Sequence, residues 1–250
     1  MTRPVLDLTD AHAVHKRFQA ERPTLLLHCA ALTNTRVCEE QPDLAREINV
    51  KVTARLADLF SAARVVFFST DLVFDGGKGW FEESDAPNPL GVYGATKAQA
   101  ERVVLRHPNH LLIRTSLNGG TSPTGDRGFN EMLRNAWRAG QTTKLFTDEF
   151  RCPIPATVTA QAAWEMVLQS RNGLWHVAGT QRLSRWETGE LIAGRCPELK
   201  PRIQPASLTE YDGAPRAPDC SLNCDKARAV LSFPLPGLAD WLAANPDEPF

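Results

Sequence analysis

RVVFFSTDLVFDGGKGWFEESDAPNPLGVYGATKAQAERVVLRHPNHLLIRT, residues 64–115, decides how this sequence folds. RVVFFST (64–70) and HLLIRT (110–115) are short, almost continuously apolar runs bounded by polar residues, the pattern of buried strands. Between them, the segment from about Tyr93 to Leu105 spaces its apolar residues as an amphipathic helix does. A strand, a helix and a strand in succession predict an α/β fold around a mostly parallel sheet.

The same alternation extends in both directions. Upstream, TLLLHCA (24–30) reads as another buried strand, and PDLAREINVKVTARLADLFSAA (42–63) as the helix after it. Thr9 is placed to cap a helix from Asp10 to Ala20, with Val14 and Phe18 facing inward. Downstream, NGGTSPTGDRG (118–128) is a glycine- and proline-punctuated loop. A helix from about Phe129 to Ala139, a strand at TTKLF, a helix from Thr157 to Gln169, a strand at LWHVAG, a helix opening near Ser184 and a last helix at GLADWLAA complete the reading.

Composition narrows the function classes. The chain of 250 residues is 42% hydrophobic and 23% charged, enough to bury a substantial core, and its net charge of -1 gives no global field for nucleic acid or an anionic membrane. Small-molecule partners are therefore expected. No apolar run approaches the roughly 20 residues that span a bilayer, and MTRPVLDLTD lacks the order of a secretory signal, so the expected location is cytoplasmic. The six cysteines are scattered, which predicts reduced thiols; Cys220 and Cys224 lack companions for a metal site, and no metal is expected.

Candidate chemistry collects at the carboxyl ends of the predicted strands, where open α/β sheets place their ligands. Ser69, Thr70 and Asp71 end one strand, Arg114 and Thr115 end the next, and Tyr93 and Lys97 lie one turn apart on the helix between. A tyrosine holds its proton to about pH 10, so acid–base work near neutrality needs a neighbouring cation, which Lys97 supplies. With the Thr70 hydroxyl on a substrate oxygen, Tyr93 gives its proton as charge develops there, a set suited to carbonyl reduction by hydride. Asp71, Arg114 and Arg151 suit a phosphate-bearing or polyhydroxylated ligand; the alternative for each is a structural ion pair. Trp164, Trp175, Trp186 and Trp241 read as core rather than as stacking platforms, and His28 and His176 as hydrogen-bonded interior histidines.

The string STDLVFDGGKGWFEESDAPNPLGVYGATKAQAE resembles the extended short-chain dehydrogenase/reductases, in particular the dTDP-4-dehydrorhamnose reductase branch. LDLTD, HCAALT, EINV, LIRTS, LFTDEFRCPIPAT, GLWHVAGTQRLSRWETGELIA and SLNCDKARAVL look like further landmarks, so the resemblance covers nearly the whole chain. It implies a Rossmann-like doubly wound parallel sheet over residues 1–117, N-terminally incomplete. It also implies a smaller α/β substrate lobe over 118–250, with segments returning to the sheet. Thr70, Tyr93 and Lys97 would be the catalytic trio. Asp7, Leu8, Ala30, Ala31, Asn49, Ser69 and Lys97 would border an NADH or NADPH cofactor, and Asp71, Arg114, Thr115 and Arg151 a nucleotide-sugar substrate.

The sequence also departs from that family. Leu32 and Leu72 stand where tyrosines are usual, Arg36 where an acid is usual and Leu117 where tryptophan is usual, which leaves the sugar open. The glycine-rich turn that holds a dinucleotide pyrophosphate is absent before LDLTD, and with it the selector between NADH and NADPH. By this correspondence the chain begins near the family's third strand, leaving TLLLHCA with an open edge that encourages self-association. A reading frame begun too late or a chain cut short is the favoured explanation; a pseudoenzyme and strands supplied by a partner are the others. The leading function is reduction of a nucleotide-linked 4-keto-sugar, and the alternative is a non-catalytic binding or regulatory subunit of the same fold.

Overall fold

A computed structural model describes residues 6–248 and 250. Four parallel strands, Leu25–His28, Arg64–Thr70, Leu111–Thr115 and Gly173–His176, form the main sheet in that order. Side chains alternate across a strand, and both faces of this one are covered. Val66, Leu111 and Ile113 pack with Ala162 and Met166 of the helix Ala156–Leu168. Val65, Phe67 and Leu112 pack on the other side with Phe60, and with Ala100 and Val104 of the helix Val92–Val104. The sheet is therefore doubly wound, as the unbroken apolar runs require.

The helix Val92–Val104 approaches the end of its neighbouring strand through Gly94, where a Cβ would meet Leu72 O at 2.1 Å and Pro89 Cβ at 2.9 Å. A separate core of Leu133, Trp137, Leu145, Ile192, Leu238, Leu242 and Phe250 holds together the helices Phe129–Arg138, Arg185–Arg195 and Leu238–Ala244. These pack on the parallel strand pair Thr142–Phe146 and Arg202–Ala206. No helix among the described residues is long and apolar enough to cross a membrane.

Several expectations need correction. Asp10, not Thr9, caps the first helix, Ala11–Glu21, by accepting from Ala13 N at 3.0 Å. Thr9 instead turns back onto Asp7, donating N–H and hydroxyl to one carboxylate oxygen. The expected long helix 42–63 is three pieces, Pro42–Arg46, a π-helical turn Glu47–Lys51 and Val52–Leu59. Among the elements that escaped the pattern are the helix Thr35–Glu40 and the strand Arg202–Ala206, because six residues carry little periodicity and RIQPA contains a proline. Trp164 is 51% exposed rather than core, while Trp175 is buried and Trp186 and Trp241 pack on the second core. Leu25–His28 pairs only with Arg64–Phe67 among the described residues, and Leu27 on it is 47% exposed. Val5 lies outside the described residues; Leu6 and Leu8 pack against Val14, Val52 and Leu56 without entering the sheet.

Both interior histidines are neutral, and their partners fix which ring nitrogen carries the proton. His176 Nδ1 lies 3.1 Å from Phe81 O and 3.2 Å from Asn223 O, which only accept, so Nδ1 carries the proton. Its Nε2, 3.3 Å from Arg114 Nη1, accepts. Thr53 donates its hydroxyl to Asn49 O, so His28 Nε2 donates to Thr53 Oγ1 at 2.9 Å. Burial, then the nearby Arg114 for His176 and Lys97 for His28, pushes both pKa values down to about 3.

Two outcomes are expected. Because the folded histidines titrate below the ordinary 6.5, the unfolded chain binds more protons between about pH 3 and 6.5, and stability is complete above that window and lost as pH falls through it. Thermal melts should show Tm falling below pH 6.5, each histidine costing about 1.4 kcal/mol per pH unit, with a flatter slope in His28→Gln/His176→Gln. Helix propensity favours Gly94→Ala by about 1 kcal/mol, yet the clash with Leu72 O should make it net destabilising by about 1–3 kcal/mol in urea denaturation. An unchanged midpoint would contradict the close approach.

Candidate functional site

A crevice of about 910 Å³ opens where the first three main strands end. Ala30 and Ala31 follow the first strand, Ser69 to Leu72 the second, and Thr115 to Asn118 the third; Tyr93 enters from the helix, and Asp7 and Leu8 close one rim. The strands deliver these residues together because parallel strands end on one side of the sheet.

Thr70 and Tyr93 both line this crevice, with the Thr70 hydroxyl near enough to the phenol to ease its ionisation. Thr70 Oγ1 also lies 3.1 Å from Asp71 Oδ1, and it accepts from Leu72 N at 3.2 Å. Burial and then the Asp71 carboxylate push the Tyr93 pKa above its usual range, while the Thr70 hydroxyl pulls the other way. The phenol is thus held protonated, the form of an acid. Asp71 is fixed in turn by the Ser116 hydroxyl at 2.6 Å, and Ser116 accepts from Cys152 N at 3.2 Å.

Lys97 lies behind the crevice wall and does not line it. Its Nζ donates to Phe68 O at 2.7 Å and stands 3.9 Å over the Phe67 ring. Burial drives its pKa down to about 7, opposed by Glu101 and then Cys29. Asn49, on the π-helical turn, is likewise removed from the crevice. It clasps the loop after the first strand by accepting from Leu32 N at 2.8 Å and donating to Leu32 O at 3.1 Å, and it also donates to Thr96 Oγ1. Its place in the expected cofactor border becomes that of a brace under Ala30 and Ala31.

Arg114 is not a substrate contact in this arrangement. It is 2% exposed and forms two bonds to Glu101, Nε–Oε1 at 3.0 Å and Nη2–Oε2 at 2.7 Å. Arg151 does reach the crevice wall, but its guanidinium is engaged by Phe150 O, Ala217 O and Glu149, with Asp71 Oδ2 3.6 Å away. Thr115 lines the crevice and accepts from Asn118 Nδ2 at 3.1 Å. Leu72 and Leu117 form apolar wall, whereas Leu32 and Arg36 lie off it, Arg36 pairing with Glu40.

Sequence reasoning missed the acidic partners. Glu149 receives Arg151, Arg185 and Arg216; burial works to raise its pKa, but those three cations hold it at about 2. Arg151, Arg185 and Arg216 against Glu149 and Asp71 leave one positive charge in excess, and Arg127 is a further cation on the crevice wall. Glu131 orders the neighbouring loop by accepting from Ser122 N, Arg127 N and Gly128 N. Only Glu101 left a usable signal, since it continues the four-residue spacing of Tyr93 and Lys97 along one helix face.

A nicotinamide dinucleotide fits this crevice in part. The small side chains of Ala30 and Ala31 leave room for a flat ring and its ribose beside Ser69 and Tyr93. The described residues furnish no glycine-rich strand-to-helix turn for its pyrophosphate: Gly76 and Gly79 pack against Asp219, and Gly119 against Phe250. Among the described residues no group of His, Cys, Asp or Glu is arranged to hold a metal.

Known proteins share both sequence and arrangement. A probable low-salt glycan biosynthesis reductase, Agl14, of Haloferax volcanii is 30% identical over 96% of this chain and 82% of its own length. The β subunit of methionine adenosyltransferase 2 of Bos taurus is 29% identical over 90% of this chain and 70% of its own. Among solved structures, a hypothetical dTDP-4-dehydrorhamnose reductase from Sulfolobus tokodaii superposes with a TM-score of 0.83 at 31% identity, covering 93% of this chain and 83% of that one. The Bacillus anthracis dTDP-4-dehydrorhamnose reductase, solved with NADP, superposes at 0.89 with 24% identity over 98% and 87%. The RmlD substrate binding domain model matches residues 1–245, and the chain belongs to that family, with the Rossmann-like fold of the extended short-chain reductases.

Proposed function

We propose that this protein reduces the keto group of a nucleotide-linked 4-keto-sugar such as dTDP-4-dehydrorhamnose, using NADH or NADPH. The observation that carries the reading is the Thr70–Tyr93 pair, a protonated phenol and a hydroxyl facing one crevice at the strand ends. The nicotinamide, when bound along Ala30, Ala31 and Ser69, supplies the hydride. Thr70 orients the carbonyl oxygen, and Tyr93 delivers its proton there as negative charge grows. Lys97, as an ammonium one turn behind, lowers the cost of the phenolate left on Tyr93. The excess positive charge at Arg185 and Arg127 suits the diphosphate of the substrate, and Leu72 and Leu117 suit an apolar edge of a deoxy-sugar.

A second reading is a binding or regulatory subunit on the same scaffold. It is favoured by the methionine adenosyltransferase β-subunit relatives. Turnover separates the two. A chain that binds a partner protein and nucleotide but never oxidises NAD(P)H is the subunit.

Under the reductase reading, Tyr93→Phe should lower kcat by about 10²–10⁴-fold in an NAD(P)H oxidation assay with dTDP-4-dehydrorhamnose while leaving Tm near wild type. Thr70→Val should cost about 10²-fold. Full activity in Tyr93→Phe would end the proposal. The pH profile has a stated sign: the Lys97 ammonium, with its pKa near 7, is lost as pH rises, so kcat/KM should fall on the alkaline side of about pH 7. Lys97→Met should abolish that limb along with most of the rate.

A further inference from the structure

We propose that Glu101 is a positioning residue for this site: a buried carboxylate, fixed by Arg114, that locks the Val92–Val104 helix onto the strand end and serves as the anionic neighbour of Lys97. Its effect on turnover rests on the reductase reading above; its geometry does not.

Tyr93, Lys97 and Glu101 lie four residues apart on one helix face, and their contacts fall on three consecutive strand residues. Lys97 Nζ donates to Phe68 O at 2.7 Å, the Ser69 hydroxyl donates to Glu101 Oε1 at 2.5 Å, and Thr70 lies beside the Tyr93 phenol in the crevice. A slip of the helix by one turn would break all three together. Glu101 is the member of this face that the proton transfer itself does not use, yet it is the most firmly held. Arg114 grips it twice, and Arg114 is itself set by His176 Nε2 at 3.3 Å and the Phe74 ring at 4.9 Å.

Stability does not account for this pair. Removing two charges from water costs about as much as their attraction returns, and apolar residues of similar volume often serve as well. Of the pair's two charges, that of Glu101 bears on the buried cation Lys97, and Arg114 fixes its place. Lys97 is 3% exposed, and the titratable groups facing it are Glu101 on its own helix and His28 and Cys29 at the end of the first strand. His28 is held neutral, and burial raises the Cys29 thiol, so both are uncharged at neutral pH. Glu101 is left as the carboxylate that keeps a proton on Lys97. Without it, a desolvated ammonium has only a backbone carbonyl and an aromatic face for compensation, and it sheds its proton.

The test is an NMR titration of the full chain carrying ¹³C-labelled lysine, with Lys97 assigned through Lys97→Arg. Glu101→Gln should lower the Lys97 pKa by about one unit or more. The alkaline limb of kcat/KM should move down in parallel, with KM little changed. Glu101→Gln leaves Arg114 buried without its partner; the double variant Glu101→Gln/Arg114→Met removes both charges, is expected to fold, and should show a downward shift smaller than that of the single variant, because a like charge leaves as well. An unmoved Lys97 titration in these variants overturns the assignment, whatever the activity does. A shifted titration in a protein that never turns over supports the assignment and removes the reductase reading instead.

Discussion

The close approach of one helix to one strand end governs this molecule's crevice. Gly94 lets the helix Val92–Val104 settle against Leu72 O at a distance no side chain permits. Only at that separation does Tyr93 stand beside Thr70 in the crevice while Lys97 reaches Phe68 O and Glu101 reaches Ser69. The approach is held from outside as well. Glu39, on the helix Thr35–Glu40, accepts from Val92 N at 2.7 Å, placing a carboxylate at the positive end of the helix, which no side chain of its own caps.

Charge is distributed around this contact in two buried groups of opposite purpose. In one, Arg114 fixes Glu101, whose charge opposes the loss of the Lys97 proton that burial favours. In the other, Glu149 binds more guanidinium than it can neutralise, so this part of the crevice wall stays cationic. Asp71 joins the two, since it touches Thr70 and lies 3.6 Å from Arg151. The hydroxyl beside the phenol and the cationic wall are therefore both in contact with one carboxylate.

Several single residues show how far the sequence could be read. The strands at 64–70 and 111–115 were legible because burial on both faces writes an unbroken apolar run. The strand Arg202–Ala206 was not, since its residues are half-buried or exposed and its pairing with Thr142–Phe146 is a long-range event. The helix break at Glu47–Lys51 was invisible for a related reason: Asn49 is drawn to the Leu32 backbone, a partner 17 positions away in sequence. Arg114 and Arg151 were equally ambiguous, because a buried ion pair and a ligand contact ask for the same residue type.

By itself, the sequence determined the α/β alternation, the identity of the hydroxyl, phenol and ammonium groups, and their spacing along one helix face, since periodicity and helical geometry are local properties of the chain. Tertiary structure alone decided which of them share open space. It turned Tyr93 and Thr70 into the crevice, put Lys97 behind its wall, sealed Arg114 against Glu101 and gathered three arginines on Glu149. Those outcomes depend on desolvation and on contacts between segments tens of residues apart, and such quantities exist only once the sheet has brought the segments together.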